Sequence, residues 1–182
     1  ILRSEGARLT RWITNVLELA KIEKKHRRPN LQHGRCAEVL ADVEDLMQTA
    51  LEQAGFHLKV ENSLREPFRY DREIMVQVLI NLIENSLKFG RSAPLKEITL
   101  RVGEAGAHVR IEVADTGPGI PARDLKKVFT DFYRADTAVT SAAGGTGIGL
   151  ALVRRFVALL GGGIAAANNP DAGCTIRIDL PR

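Results

Sequence analysis

The chain has 182 residues, 45% of them hydrophobic and 26% charged, with a formal net charge of +4. That suffices for one ordinary domain with a buried core plus a short appendage, and no apolar run approaches the roughly 20 residues of a membrane-spanning helix. The charge is uneven, +6 over residues 1–35 and −2 over the rest, so the main body lacks the basic surface that nucleic-acid binding demands.

No signal-peptide pattern is present. Cys36 and Cys174 fit no metal-ligand spacing and read as small buried hydrophobes in a reducing compartment.

Residues 1–28 read as one long helix. Leu2, Gly6, Leu9, Ile13, Val16 and Ala20 alternate spacings of four and three, giving a d/a seam. Trp12, Leu17 and Leu19 widen it toward the face of a four-helix bundle; a helix packed on its own domain is the plainer alternative. The run Lys24 to Arg28 reads as a solvated helix end leading into a hinge, rather than a membrane-seeking patch. Pro29-Asn30 marks a domain boundary. Ile1 opens inside the helical pattern, so a longer parent protein is expected.

The remainder alternates helices and strands. Residues 36–54 are predicted helical, with Val39, Leu40, Val43, Leu46, Met47, Ala50 and Leu51 on one face and Gly55 as the stop. A strand follows near His57–Glu61, then an extended piece at Phe68–Tyr70. Asp71 is suited to cap a helix running to Phe89. Residues 97–103 and 107–114 form a hairpin about a Glu104-Ala105-Gly106 turn. The stretch 115–146 is rich in Gly, Ala, Thr and Asp and holds one short helix near 122–132; a loop of this length is usually functional or disordered. A helix from Gly147 to Leu160 and strands at 163–168 and 174–180 complete a two-layer α/β sandwich with a largely antiparallel sheet.

Three stretches carry chemistry. On the 71–89 helix Asn81, Asn85 and Lys88 fall at i, i+4 and i+7, on one face. Amide oxygens suit Mg²⁺ and a lysine suits phosphate, although the stripe alone reads better as a solvated polar face. Asp115-Thr116-Gly117-Pro118-Gly119-Ile120 sets a carboxylate at a strand end before two alternate glycines, where a flat ligand can approach the backbone. Alone, that is also a plain Asp-Gly turn. Gly145, Gly147 and Gly149 alternate at a helix start, where N–H groups form an anion site. Their spacing fits neither the Rossmann nor the Walker pattern.

Together, in this order, the stretches are specific. Asn81 to Phe89 resembles the N box of the Bergerat-type ATPases, Asp115 to Gly119 their first glycine box, and Gly145 to Leu150 their second. Val128 to Asp136 resembles the F box of histidine kinases, Gly173 to Pro181 the family's closing strand, and residues 1–28 the second dimerisation helix. The chain thus resembles the catalytic domain of a bacterial two-component sensor histidine kinase.

The resemblance implies a Bergerat ATP-binding fold with helices on one face of a mixed, mostly antiparallel sheet, after one bundle helix. Residues 1–28 would belong to the dimerisation domain and 29–182 to the catalytic domain, with a mobile ATP lid over about 118–146. Asp115 would accept from the adenine amino group, with Gly117, Gly119 and Ile120 shaping the slot. Asn85 would coordinate Mg²⁺ with Asn81 beside it, and Lys88 and Phe89 would contact phosphate and nucleoside. Arg134 would reach the terminal phosphate, and Gly145, Thr146, Gly147, Gly149 and Leu150 would line the phosphate path, with Thr175 on the closing strand also at the nucleotide. The implied partners are the protein's own dimerisation domain, as a homodimer, and a cognate response regulator. Neither nucleic acid nor membrane contact is expected of this chain. The expected location is the cytoplasm, whether or not the parent is anchored in the inner membrane.

Two features bear on the branch of the superfamily. Hydrolysing members carry a water-activating glutamate where Asn81 stands, and an amide accepts no proton at neutral pH. Glu84 lies about 100° around the helix from Asn85. Moreover, the family's acceptor is a histidine followed by an acidic residue, whereas His26, His33, His57 and His108 precede Arg, Gly, Leu and Val. The chain is therefore expected to hold the ATP half of a phosphotransfer without its acceptor. An ATPase, a protein-serine kinase regulator and a non-catalytic nucleotide sensor are the alternatives.

Overall fold

The computed structural model describes residues 2–24, 26–135 and 146–182, with side chains from residue 13 onward in those ranges. Helix α1 (Leu2–Glu23) leads to strand β1 (Gln32–Gly34), α2 (Cys36–Ala54), β2 (His57–Asn62), β3 (Phe68–Tyr70) and α3 (Arg72–Phe89). The hairpin β4 (Glu97–Ala105) and β5 (His108–Asp115) follows, then α4 (Gly149–Leu159), β6 (Gly163–Asn168) and β7 (Cys174–Pro181). Five strands form one sheet in the order β2-β4-β5-β7-β6, in which only β2 and β4 run parallel.

Alternation along the strands sets the layers. Ile98, Leu100 and Val102 of β4, Val109, Ile111 and Val113 of β5, and Ile176, Ile178 and Leu180 of β7 are all buried, against Ile74, Val78 and Leu82 of α3 and Leu152 and Phe156 of α4 in one core. The opposite face carries ion pairs: Arg101 with Glu61, Arg110 with Asp179 and Arg177 with Glu112. A depression of about 440 Å³ opens there, lined by these mutually paired charges and remote from the residues singled out above.

Several boundaries differ from expectation, each for a local reason. Helix α1 stops at Glu23 instead of running to residue 28. Like charges four apart, Lys24 and Arg28, disfavour its continuation, and His26 N and Arg27 N turn back onto the Lys21 carbonyl. Arg27 then meets Glu18 and, at 3.2 Å, Glu73 of α3. Leu19 is buried and Ile22 packs on the domain core, whereas Ile13, Val16 and Leu17 stay exposed; the helix thus has one face on its own domain and an open apolar one. Side chains of Leu2, Leu9 and Trp12 lie outside the described residues.

Leu46 and Ala50 of α2 are exposed, because only the narrower arc of Cys36, Val39, Leu40, Val43, Met47 and Leu51 meets the core. The hairpin turn is the two-residue Gly106-Ala107, not Glu104–Gly106. Ala105 pairs with His108, and Gly106 at φ 62° takes the first turn position that a II′ turn reserves for glycine. The helix expected near 122–132 is a 3₁₀ turn, Ala122–Asp124, continued by three-residue turns. Its buried Asp124 side chain accepts from Tyr133 Oη at 2.6 Å. The pairing of β1 with β3 was not anticipated.

Asp71 caps α3 as expected and does more. Its Oδ1 accepts from Ile74 N at 3.0 Å, while Oδ2 accepts from Asn30 N at 2.7 Å, tying the segment after α1 to the helix that bears the amides. Asp71→Ala should lower stability by about 2 kcal/mol, as loss of a cap and of a buried acceptor together imply. Urea unfolding within about 0.5 kcal/mol of wild type would contradict this.

Candidate functional site

Two ends of one row of predicted site residues take shape along α3. At the first, β5 delivers Asp115 to a ring of donors. Its Oδ1 accepts from Gly117 N at 2.9 Å and Cys174 N at 3.4 Å, and its Oδ2 from Ser86 Oγ and Cys174 Sγ, both at 3.3 Å. Gly117 packs closely: a Cβ there would lie 3.0 Å from Asp115 Oδ1 and 3.5 Å from the Gly90 Cα, so the carboxylate would have to shift slightly. The loop behind is braced by two asparagines. Asn168 pairs reciprocally with the Ile120 N–H (2.8 Å) and carbonyl (2.7 Å), beside Gly119 at φ 75°. Asn169 Nδ2 donates to the Asp115 carbonyl at 2.9 Å.

At the second end, α4 begins against the amides of α3. Asn81 is 9% exposed and its Nδ2 donates to the Gln77 carbonyl at 2.8 Å. Asn85 Nδ2 is buried with no hydrogen-bond partner. A Cβ on Gly149 would lie 3.6 Å from Asn81 Oδ1 and 3.7 Å from Asn85 Nδ2, so the first residue of α4 faces both side chains with room for about one methyl group between. The residue before it, Ile148, provides no side-chain cap, and uncapped N–H groups at a helix start attract anions. Lys88 Nζ sits 4.6 Å over the Phe89 ring in the last turn of α3.

Helix α4 starts at Gly149 rather than Gly147. Gly147 has φ 72°, and any Cβ there would come within 2.7 Å of the Phe132 carbonyl carbon and the Tyr133 oxygen. Thr146 Oγ1 accepts weakly from Ile148 N at 3.4 Å, and Leu150 is half-buried in the first turn. Gly145 lies outside the described residues, as do residues 136–144 of the lid expected over about 118–146. Arg134 is exposed. Thr175 reaches Asp115 only indirectly, through its 2.6 Å bond to Asn169 Oδ1.

Ser86, Asn168, Asn169, Gly173 and Cys174 escaped the sequence reading as site residues. Asn168 to Gly173 is visibly a turn, but nothing local says that it closes on Asp115. Cys174 is not merely apolar filling: burial first, then the neighbouring Asp115 charge, push its thiol pKa upward, so it stands as a protonated donor. Cys36 matches expectation, a buried thiol pushed up to about 12 by burial.

A carboxylate in a tight loop and a helix start facing two amides thus lie along one helix, α3. Residues 70–182 match the family described as histidine kinase-, DNA gyrase B-, and HSP90-like ATPase, and the chain belongs to that family. It is 32% identical to the sensor histidine kinase WalK of Bacillus subtilis, over all of this chain and 30% of WalK. It is 28% identical to the sensor-like histidine kinase SenX3 of Mycobacterium tuberculosis H37Rv, over 97% of this chain and 43% of SenX3. The chain therefore spans less than half the length of these relatives. Full-length ShkA, solved in complex with AMPPNP, superposes with a TM-score of 0.84 at 26% identity, over 99% of this chain and 37% of that one. The histidine kinase AdeS of Acinetobacter baumannii has the same fold, with a TM-score of 0.80 at 22% identity, over 99% and 81%.

Proposed function

We propose that this chain binds Mg-ATP in the cleft between α3 and the start of α4 and transfers the γ-phosphate to a histidine of a dimerisation domain in two-component signalling. The observation that carries this reading is the start of α4 facing Asn81 and Asn85, with the Asn85 Nδ2 atom buried and without a hydrogen-bond partner. An unpaired buried amide costs about 1–3 kcal/mol and is relieved by a ligand. The amide can present either its oxygen or its nitrogen by rotation about its last torsion.

The base end has a distinct role. Asp115, held by Gly117 N and the Ser86 and Cys174 donors, is suited to accept from an adenine amino group, with Gly117, Gly119 and Ile120 lining the slot. At the phosphate end the α4 N–H groups, Lys88 and Arg134 would neutralise charge, which is the main catalytic contribution in phosphoryl transfer. Among the described residues no cluster of three His, Cys, Asp or Glu side chains could hold a metal. The Asn85 amide oxygen, with Asn81 beside it, fits a hard cation that keeps water and phosphate as its other ligands. Magnesium, when bound, supplies further neutralisation of the phosphates.

The exposed Ile13, Val16 and Leu17 of α1 support its assignment as the second dimerisation helix, with residues 29–182 as the catalytic domain. A homodimer through that bundle and a response regulator as recipient of the phosphoryl group complete the reading, with the reaction on the cytoplasmic side. Among the described residues no helix is long and apolar enough to cross a membrane.

The metal role has a direct test in calorimetry of ATP binding with and without Mg²⁺. Mg²⁺ should tighten wild-type binding by about tenfold and Asn85→Ala binding by less than about twofold, as expected when a hard oxygen ligand is removed. A wild-type metal response in Asn85→Ala would move the cation elsewhere.

A further inference from the structure

One guanidinium joins three segments that the cleft itself does not connect. Arg155, in the second turn of α4, donates through Nη2 to Asp131 Oδ2, and the same nitrogen lies 3.1 Å from Glu23 Oε1 at the last residue of α1. Asp131 stands three residues before Arg134. Between them Phe132 has φ 61°, the one positive φ of a non-glycine among the described residues, a conformation that persists only where the surroundings hold it. Those surroundings include three restraints. Gly147 leaves no room beside the Phe132 and Tyr133 backbone, Tyr133 Oη is tied to Asp124, and Arg155 holds Asp131. The first two restraints lie wholly inside the domain; the third is shared with α1.

The hold of α1 on the domain is also incompletely satisfied. Arg27 bridges Glu18 at 3.9 Å and Glu73 at 3.2 Å, yet Glu18 Oε2 and Arg27 Nε are buried without a hydrogen bond. Lys21 Nζ holds the other Glu18 oxygen at 2.7 Å, so the cluster is ion-paired, but buried charged atoms without hydrogen bonds favour rearrangement to a better-satisfied state.

We propose that Arg155 is a positioning residue for phosphoryl transfer: by holding Asp131 it fixes the segment that carries Arg134, and by sharing one nitrogen with Glu23 it makes that placement depend on how α1 sits. The proposal rests on the phosphotransfer reading above. Loss of the Glu23 contact leaves Arg155 wholly to Asp131 and firms the segment, whereas loss of Arg155 frees it.

The test uses the chain, γ-labelled ATP and a separate histidine-bearing two-helix fragment. Arg155→Gln should lower the transfer rate by at least about tenfold while ATP affinity stays within about threefold, the split expected of a group that acts in the transition state. Arg155→Lys should restore at least about a third of the rate, since a point charge still reaches Asp131. Glu23→Gln should raise the rate about threefold, and this effect should vanish in the Arg155→Gln background, as coupling through a shared partner requires. Hydrogen exchange of amides 131–134 in the nucleotide-free chain should quicken at least about fivefold in Arg155→Gln. That measurement scores the anchoring even if the wild type transfers nothing, an outcome that would sink the phosphotransfer reading alone. Unchanged exchange, a wild-type rate in Arg155→Gln, an affinity loss equal to its rate loss, or a Glu23→Gln effect that survives without Arg155 would each overturn the proposal.

Discussion

Replacing Asp115 with asparagine should weaken ATP binding by about ten- to a hundredfold, because a hydrogen bond to a charged acceptor is worth about 1.5–3 kcal/mol. Asparagine is the informative choice, since it keeps the shape and leaves one oxygen for Gly117 N. The new NH₂ would point where Oδ2 now accepts from Ser86 Oγ and Cys174 Sγ. The Ser86 hydroxyl can turn from donor to acceptor, so the loop survives. An adenine amino group cannot turn; it would meet a donor in place of an acceptor. Calorimetry should show the affinity loss with a melting temperature near that of wild type. An affinity within about twofold of wild type would mean that the base is recognised elsewhere.

Gly173→Ala should be more damaging, and for a reason remote from ligand chemistry. Gly173 has φ 80°, and a Cβ there would overlap the Asp115 carbonyl oxygen. Forcing alanine into left-handed backbone costs about 1–2 kcal/mol, and the overlap adds about 1–3 kcal/mol as the turn is pushed off β5. A loss of about 2–5 kcal/mol corresponds to a drop in melting temperature of roughly 5–15 °C for a chain of this size. Nucleotide affinity should fall with it, because the displaced carbonyl belongs to Asp115 and is the acceptor for Asn169. Gly163→Ala is the control, as nothing lies within 4 Å of a Cβ there. Equal melting temperatures for the two variants would show that the turn yields more readily than its geometry implies.

What the sequence made legible was what local pattern encodes. The period of apolar residues over 36–54 and 71–89, the alternation at Ile98, Leu100 and Val102, and the capping chemistry of Asp71 each act within a few residues, and the elements stand close to where those signals put them. The groups proposed to face the ligand, Asn81, Asn85 and Asp115, were also visible, because their types are out of keeping with the apolar elements that carry them. The donors around Asp115 were not. Ser86, Asn169 and Cys174 lie 29, 54 and 59 residues from it, and no local period reports a contact made by sheet closure. Helix α1 was overextended for a related reason. Past its stop, Arg27 turns to Glu73 of α3, a partner that the basic run itself does not reveal. The β1–β3 ribbon is three residues long on each side, too short for alternation to register.

The most direct test of the central claim is a labelling experiment with γ-labelled ATP, with and without a separate fragment that carries the two dimerisation helices and their histidine. The chain alone should acquire negligible label, because none of His26, His33, His57 and His108 is followed by an acidic residue, and it should release phosphate slowly, because an amide at Asn81 cannot activate water. Addition of the fragment should yield acid-labile phosphate on the fragment's histidine, and Lys88→Ala or Arg134→Ala should reduce it, as expected where charge stabilisation carries phosphoryl transfer. Rapid phosphate release by the chain alone, abolished by Glu84→Gln and with no label on the fragment, would contradict the account and make the protein a hydrolase.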